Sequence, residues 1–334
     1  MIRRSVLLFL LVLIGLNPSY AQEKEPLAKD LKHHFKRKAL SLGILLQAGL
    51  DVQFTQHRES GTNGFRLFTS RIKVSGILDH GFSYMLQTDF TRTLAVLDAR
   101  VGLAISPQVA FYAGQFKSPF SYEFLTSSAK LDFVKRSQVV SALAPNRQVG
   151  AQATLSTADK RFQIMTGIFN GNGRNPGGND DATFLYVARA EAHLPVADKK
   201  GKLILGVNSA YNQDEWRGVS RERMLIGADA RIQMAKLLIS GEFIYAKDKL
   251  RNNQEFTPYG YQLTAGVKID PIRQLLVRYD TYSSDYSPDT STYVILGYTC
   301  KPTHLAKIQI NYLIPTAHTA FKYHHVLAKM QIAF

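Results

Sequence analysis

The sequence predicts an all-β fold, a transmembrane antiparallel β-barrel of sixteen strands, on three observations. Segments of about ten residues alternate apolar and polar side chains with a period of two, the length a tilted strand needs to cross hydrocarbon. Short and long connections alternate between these segments. An export signal precedes them, and no later apolar stretch is long enough to span as a helix, so insertion must use strands.

The signal is read from Arg3 and Arg4, an apolar run at 6–16, and the small-residue site Ser19-Tyr20-Ala21. The run falls short of the roughly 20 residues of a membrane anchor. Residues 1–21 are therefore expected to be a signal peptide and 22–38, with KHHFKRK, a polar periplasmic lead-in; the barrel occupies 39–334. Cys300 is the single cysteine, which leaves neither an intramolecular disulfide nor a lipid anchor at the cleavage site.

The first strand, 39–56, sets Leu40, Leu42, Ile44, Leu46, Ala48, Leu50, Val52 and Phe54 on one face and Ser41, Gln47, Asp51 and Gln53 on the other. After 64–76, the third at 81–91 opposes Phe82, Tyr84, Leu86 and Phe90 to Ser83, Gln87 and Asp89. Equivalent segments follow at 96–105, 108–116, 147–156, 161–169, 183–194, 202–212, 222–233, 236–247, 259–269, 274–283 and 292–300. The segment 304–314 alternates Ala306, Ile308, Ile310 and Tyr312 with Lys307, Gln309 and Asn311; the last, 323–334, ends on an outward aromatic, Phe334. Aromatics near segment ends, Phe82, Phe90, Tyr112, Phe116, Tyr186, Tyr261, Tyr282, Tyr293, Tyr298 and Tyr312, are candidates for interfacial girdles. An even number of strands puts both termini on the periplasmic side.

Tight turns at 106–107, 156–160, 270–271 and 301–303 read as periplasmic; long links such as GNGRNPGGNDDA, NQDEWRGVSRE and KDKLRNNQEFTP read as external. The link at about 117–146 becomes the third external loop and the longest. It interrupts the series where function is most expected, because it is placed to narrow the lumen.

The formal charge of +15 falls to +13 without Arg3 and Arg4, which favours anionic partners. Export and the absence of any recognition motif exclude nucleic acid; lipid headgroups and small anionic solutes remain. The glycine-rich link lacks the Lys-Ser/Thr of a phosphate-binding loop and the spacing of a calcium loop, and the pairs His33-His34 and His324-His325 point to opposite faces of a strand. No metal, cofactor or catalytic constellation is expected.

An anion leaving water must meet compensating positive groups at a constriction. The loop and its exit offer Lys117, Lys130, Lys135, Arg136 and Arg147 against Glu123 and Asp132. Periodicity turns Arg71, Lys73, Arg100, Arg189, Arg223, Arg231, Lys268, Arg278, Lys307 and Lys329 toward the lumen. Four acid–base neighbours two residues apart should partly cancel: Asp98 with Arg100, Arg189 with Glu191, Asp229 with Arg231, and Arg278 with Asp280. Anion guidance is expected from the unpaired Arg71, Lys73, Lys268, Lys307 and Lys329 together with the loop.

The runs at Gly114 to Phe120 (GQFKSPF), Leu125 to Ser128 (LTSS), Phe133 to Ser137 (FVKRS), Arg147 to Gly150 and Phe169 to Gly171, in that order, resemble the phosphate-selective porin O and P family. The sequence departs from that pattern at Lys135, where an acidic residue is common. The resemblance implies a sixteen-stranded, trimeric outer-membrane porin of a Gram-negative bacterium, with the third loop folded inward and basic side chains guiding anions. The expected function is passive diffusion of small anions, phosphate or polyphosphate among them; a general, weakly selective pore is the alternative. An outer-membrane barrel enzyme or a structural or adhesive barrel fits less well, since no nucleophile and base stand out and sixteen strands leave an aqueous interior.

Overall fold

The computed structural model describes residues 37–54, 63–174, 178–179, 182–196, 201–216, 219–286, 290–317 and 320–334. The proposed signal peptide, most of the lead-in including His33-His34, and parts of several external links lie outside them.

Sixteen long strands are present among the described residues: β1 (Ser41–Gln53), β2 (Gly64–Ile77), β3 (Phe82–Asp89), β4 (Ala95–Ala104), β5 (Val109–Lys117), β6 (Arg147–Ser156), β7 (Phe162–Phe169), β8 (Leu185–Val196), β9 (Gly201–Trp216), β10 (Val219–Gln233), β11 (Leu237–Leu250), β12 (Tyr259–Lys268), β13 (Arg273–Ser283), β14 (Thr290–Cys300), β15 (Ala306–Pro315) and β16 (His325–Ala333). A two-residue strand, Glu255–Phe256, extends the ribbon above β11. Each strand pairs antiparallel with its sequence neighbours, and β16 returns to β1 from Leu45↔Ala333 to Gln53↔His325, so the sheet closes and leaves no edge.

The alternation read from the sequence is the alternation of lipid and lumen. Val101, Val207, Leu263, Met330 and Ile332 stand exposed on the outer wall, while Gln47, Asp98, Asn208, Glu242, Gln309 and Gln331 are buried inside. The expected boundaries of β6 agree with the structure at both ends. The largest departures are at the external ends of β9 to β11, where the ladder continues to Trp216↔Val219 and Arg221↔Leu250. At those ends the inner face holds the buried, ion-paired Arg221 and Asp248 and the outer face carries the exposed Glu222 and Lys249, so the apolar alternation stops before the strand does.

The interior is not uniformly wet. At the external ends of β7 to β11, Phe169, Leu185, Val187, Ala210, Leu225, Ile244 and Ala246 point inward and bury against Phe116, Phe120, Phe124, Val139, Val140, Leu143 and Ala144. The Val, Leu, Ile and Phe side chains among them each contribute about 1.5–3 kcal/mol when fully buried. Tyr112, Phe116 and Tyr282, expected in the girdles, belong to this inner packing instead. The reason is that the third loop supplies an apolar partner inside the barrel, so an inward aromatic need not face water.

Two glycines permit the geometry. Gly114 has φ +121° and a Cβ there would lie 2.1 Å from the Ala99 carbonyl oxygen, a position only glycine fills without strain. At Gly260 a Cβ would meet the Thr281 carbonyl at 2.3 Å and the Val139 Cβ at 3.0 Å, so its absence lets the loop lie close on the wall.

Val207 is 59% exposed on the outer face and flanked across the ladders by Ala190 and Ala228. Val207→Arg is expected to destabilise the barrel by about 2–4 kcal/mol in guanidinium unfolding from phospholipid vesicles. An unchanged midpoint and slope would show that this face does not meet hydrocarbon.

Candidate functional site

Residues 118–146 connect β5 to β6 and cross the barrel interior. Their base closes where the Ser118 amide and hydroxyl both donate to the Asn146 carbonyl, at 3.2 and 3.0 Å. Helix α1 (Tyr122–Leu125) is capped by Ser121, whose hydroxyl accepts from the Phe124 amide at 3.0 Å. A short 3₁₀ turn, Ser128–Lys130, and helix α2 (Gln138–Leu143) follow.

Glu123 is the centre of the tie. One carboxylate oxygen accepts from the Ser137 amide and hydroxyl at 2.8 and 2.7 Å, and the other from Arg278 on β13 at 2.7 Å. Its amide donates to Glu242 on β11 at 3.2 Å, and its carbonyl accepts from Arg136 at 3.0 Å. Around it the wall holds the rest of the loop. Asn208 accepts from the Ser121 amide, Asn311 from the Val134 amide and Asp280 from the first amide of α2, at 3.0, 2.7 and 3.1 Å. Arg231 grips Asp132 through two bonds of 2.6 and 3.2 Å, and Gln309 donates to the Asp132 carbonyl at 2.7 Å.

Several cations expected to guide solutes are occupied by this scaffold. Lys117 donates to the carbonyls of Phe124, Leu125 and Thr126, and Arg136 reaches the Thr126 carbonyl at 2.7 Å, so two loop cations satisfy the C-terminal carbonyls of α1. Lys307 donates to the carbonyls of Ala129 and Leu131 at 2.8 and 3.1 Å, and Lys329 to that of Val134 at 3.0 Å. Both lysines are buried and form no ion pair among the described residues, and their ammoniums are held by loop carbonyls instead of standing open to the lumen. A charge under a backbone segment is stabilised by that segment's carbonyls, and these donors lie nowhere in the sequence near their acceptors.

Of the four expected same-strand neighbours, only Arg189 and Glu191 form a direct ion pair among the described residues. Arg189 does bond Glu191 at 3.0 Å, and it also grips Asp229 at 2.6 and 2.9 Å. Asp98, however, takes Arg147 bidentately at 3.1 Å, while Arg100 lies 4.3 Å over the Tyr112 ring. Arg231 goes to Asp132 and Arg278 to Glu123. Residues two apart on a strand stand roughly 6.6 Å apart, so a partner from the loop or from another strand can come closer. Arg71 bonds Asp89 at 2.7 Å and the Ser128 hydroxyl at 3.0 Å. Arg223 grips Asp248 at 2.6 Å in the external ribbons.

Beneath the loop, on the side of the short turns, lies a chamber of about 1080 Å³. Seven cations line it, Lys130, Arg231, Lys236, Lys268, Arg278, Lys301 and Lys307, against four acids, Glu123, Asp132, Asp229 and Glu242, a surplus of three. The first three acids are each matched by an arginine. Among the described residues Lys130, Lys236, Lys268 and Lys301 form no ion pair, so the surplus falls on lysines. Lys73 likewise has no ion pair among the described residues and faces the lumen from β2. Lys236 and Lys301 were not singled out in the sequence because they sit in turns, where strand periodicity assigns no face.

The sequence profile of the family described as phosphate-selective porin O and P matches residues 42–214. Comparison with the curated proteins finds no match by sequence. Among solved structures the chain is similar to an anion-selective porin from Comamonas acidovorans, at 13% identity over 89% of this chain and 99% of that one, with a TM-score of 0.69. It is also similar to the trimer form of OmpT from Vibrio cholerae, at 12% identity over 89% and 99% with a TM-score of 0.64. The outer-membrane channel DcaP of Acinetobacter baumannii gives 10% identity over 88% and 97% and a TM-score of 0.61. At these identities the structures establish a common fold, while the profile spans more than half of the sequence. The protein belongs to the phosphate-selective porin O and P family.

Proposed function

We propose that the protein is an outer-membrane porin through which small hydrophilic anions diffuse passively. The observation that carries this reading is the chamber beneath the loop, with its lysine surplus and with the charge of three of its four acids taken by arginines. A desolvating anion needs positive charge that is not already neutralised, and point charges on flexible stems supply it without fixing one solute geometry. Lys73, Lys130 and Lys268 among the residues expected from sequence fit this role, joined by Lys236 and Lys301. Arg71 and Arg147 keep partly exposed guanidiniums but share them with Asp89 and Asp98. Lys117, Arg136, Arg189, Arg278, Lys307 and Lys329 act by holding the loop and the wall, and Arg223 by holding the external ribbons.

Small anions, phosphate and polyphosphate included, are the solutes this charge distribution favours, in keeping with a relative described as anion-selective. A homotrimer is the assembly proposed for the chain, by likeness to the trimer form of the Vibrio cholerae neighbour. Residues 1–21 are proposed to be removed on export and 22–38 to lie in the periplasm, with the outer-membrane lipid around the barrel.

In a planar bilayer with a potassium chloride gradient, the mature protein is expected to show channels whose reversal potential has the sign of chloride selectivity. Lys268→Gln combined with Lys301→Gln is expected to move that potential toward zero by removing two charges of the surplus. A cation-selective wild-type channel would defeat the charge assignment. Glu123→Ala leaves Arg278, whose side chain is 3% exposed, without its carboxylate. A loss of about 3–5 kcal/mol on denaturant unfolding is expected from that uncompensated charge, together with a larger unit conductance as the loop comes off the wall. Unchanged conductance in the folded variant would mean that the loop does not limit the pore.

A further inference from the structure

The adjacent histidines at the start of β16 divide their work. His324 turns its Nδ1 to the Tyr312 hydroxyl at 2.5 Å, and His325 turns inward, its Nε2 2.5 Å from a carboxylate oxygen of Asp51 on β1. The other Asp51 oxygen accepts from Arg66 on β2 at 2.8 Å, and the ammonium of loop residue Lys135 stands 3.5 Å from it. Asp51 itself is buried, with 2% of its side chain exposed, whereas Lys135 is 50% and Arg66 33% exposed. A single hidden acid thus gathers three basic groups, two of which show their charge to water.

We propose that Lys135, Arg66 and His325 around Asp51 form a specificity-determining station on the external side of the loop, whose attraction for anions grows as the pH falls. The inference rests on the pore reading above. With a neutral imidazole the group carries two cations against one carboxylate, a surplus of one; protonation of His325 raises it to two. Among the described residues, the charged groups facing the imidazole are those of this count. Asp51 comes from β1, Arg66 from β2 and Lys135 from the loop; on β16 itself the nearby Lys329 is occupied by the Val134 carbonyl, and β15 contributes the neutral Asn311. Histidine is the side chain whose ordinary titration falls between about pH 5 and 8. The sign follows directly: acidification adds a positive charge beside the entrance, drawing anions in and repelling cations.

The sign of the charge at position 135 matters to the station. An acid at that position would face Asp51 across the same gap, two like charges where the present chain sets an attraction. One charge added within about a Debye length of a passing ion, roughly 10 Å at 0.1 M salt, is enough to change the anion-to-cation permeability ratio by about twofold.

The test is the reversal potential of the full mature protein in a potassium chloride gradient, measured from about pH 8 to about pH 5, the window of histidine titration. Wild type is expected to become more chloride-selective by about twofold across that range. His325→Gln should hold the lower selectivity of wild type near pH 8 at every pH, and Lys135→Gln should be less chloride-selective throughout while keeping the pH slope. Gel migration before and after heating checks that each variant barrel is folded, and Lys135, on an exposed part of the loop, gives a variant whose folding is not at risk if His325→Gln fails. A pH slope that survives His325→Gln, or a Lys135→Gln channel with wild-type selectivity, overturns the station while leaving the porin intact. A protein with no channel at any pH overturns both.

Discussion

A chain segment that leaves the wall of a barrel and enters its lumen carries backbone amides and carbonyls away from bulk water, and each of them needs a partner. That constraint organises the interior. Glu123 answers it most fully, with its amide, carbonyl and both carboxylate oxygens all engaged, and with Arg278 on the opposing wall as its counter-charge. Asn208, Asn311 and Asp280 accept from loop amides; Lys307, Lys329 and Gln309 donate to loop carbonyls. The apolar side of the same segment is met by Val139, Val140 and Leu143 against Ile244, Ala246 and Phe169, so polar and apolar demands are satisfied on the same stretch of wall.

This arrangement separates cations that build the pore from cations that serve it. A lysine beneath a loop carbonyl and a lysine facing water are the same letter in a sequence. Their surroundings decide between them, and those surroundings are non-local: Lys307 meets Ala129 and Lys329 meets Val134 across more than half the chain. On the proposed function, the charge left for solutes after the scaffold has drawn its share is carried by lysines in the lower chamber and by the Asp51 group above it.

The barrel itself was legible because period two is a local property. Strand β6 is correct to the residue, and the count of sixteen follows from segment lengths and alternating connections. The loop was legible as an interruption. What alternation could not provide was the identity of charge partners, since Asp98 and Arg147, or Asp132 and Arg231, are brought together only by closure and by the loop's path. One signal was available and pointed the right way. At Leu185 to Val187 three successive apolar residues break the alternation, and such a stretch on a barrel strand implies an apolar partner inside as well as lipid outside. The motif run GQFKSPF is explained in the same terms, since Gly114 fits a backbone only glycine adopts freely, Lys117 caps α1 and Phe120 is wholly buried.

The central claim is that the third loop lies in the path of the permeating ions. Ser127, exposed on the loop and lining the chamber, offers the most direct probe. In a Cys300→Ser background, Ser127→Cys is to be modified with a sulfonate-bearing thiol reagent while single-channel current is recorded. Attachment of that bulky anion at the chamber wall is predicted to lower the current stepwise and to weaken chloride selectivity. Complete modification, verified by mass, with current and selectivity unchanged would place the loop outside the ion path and contradict the account.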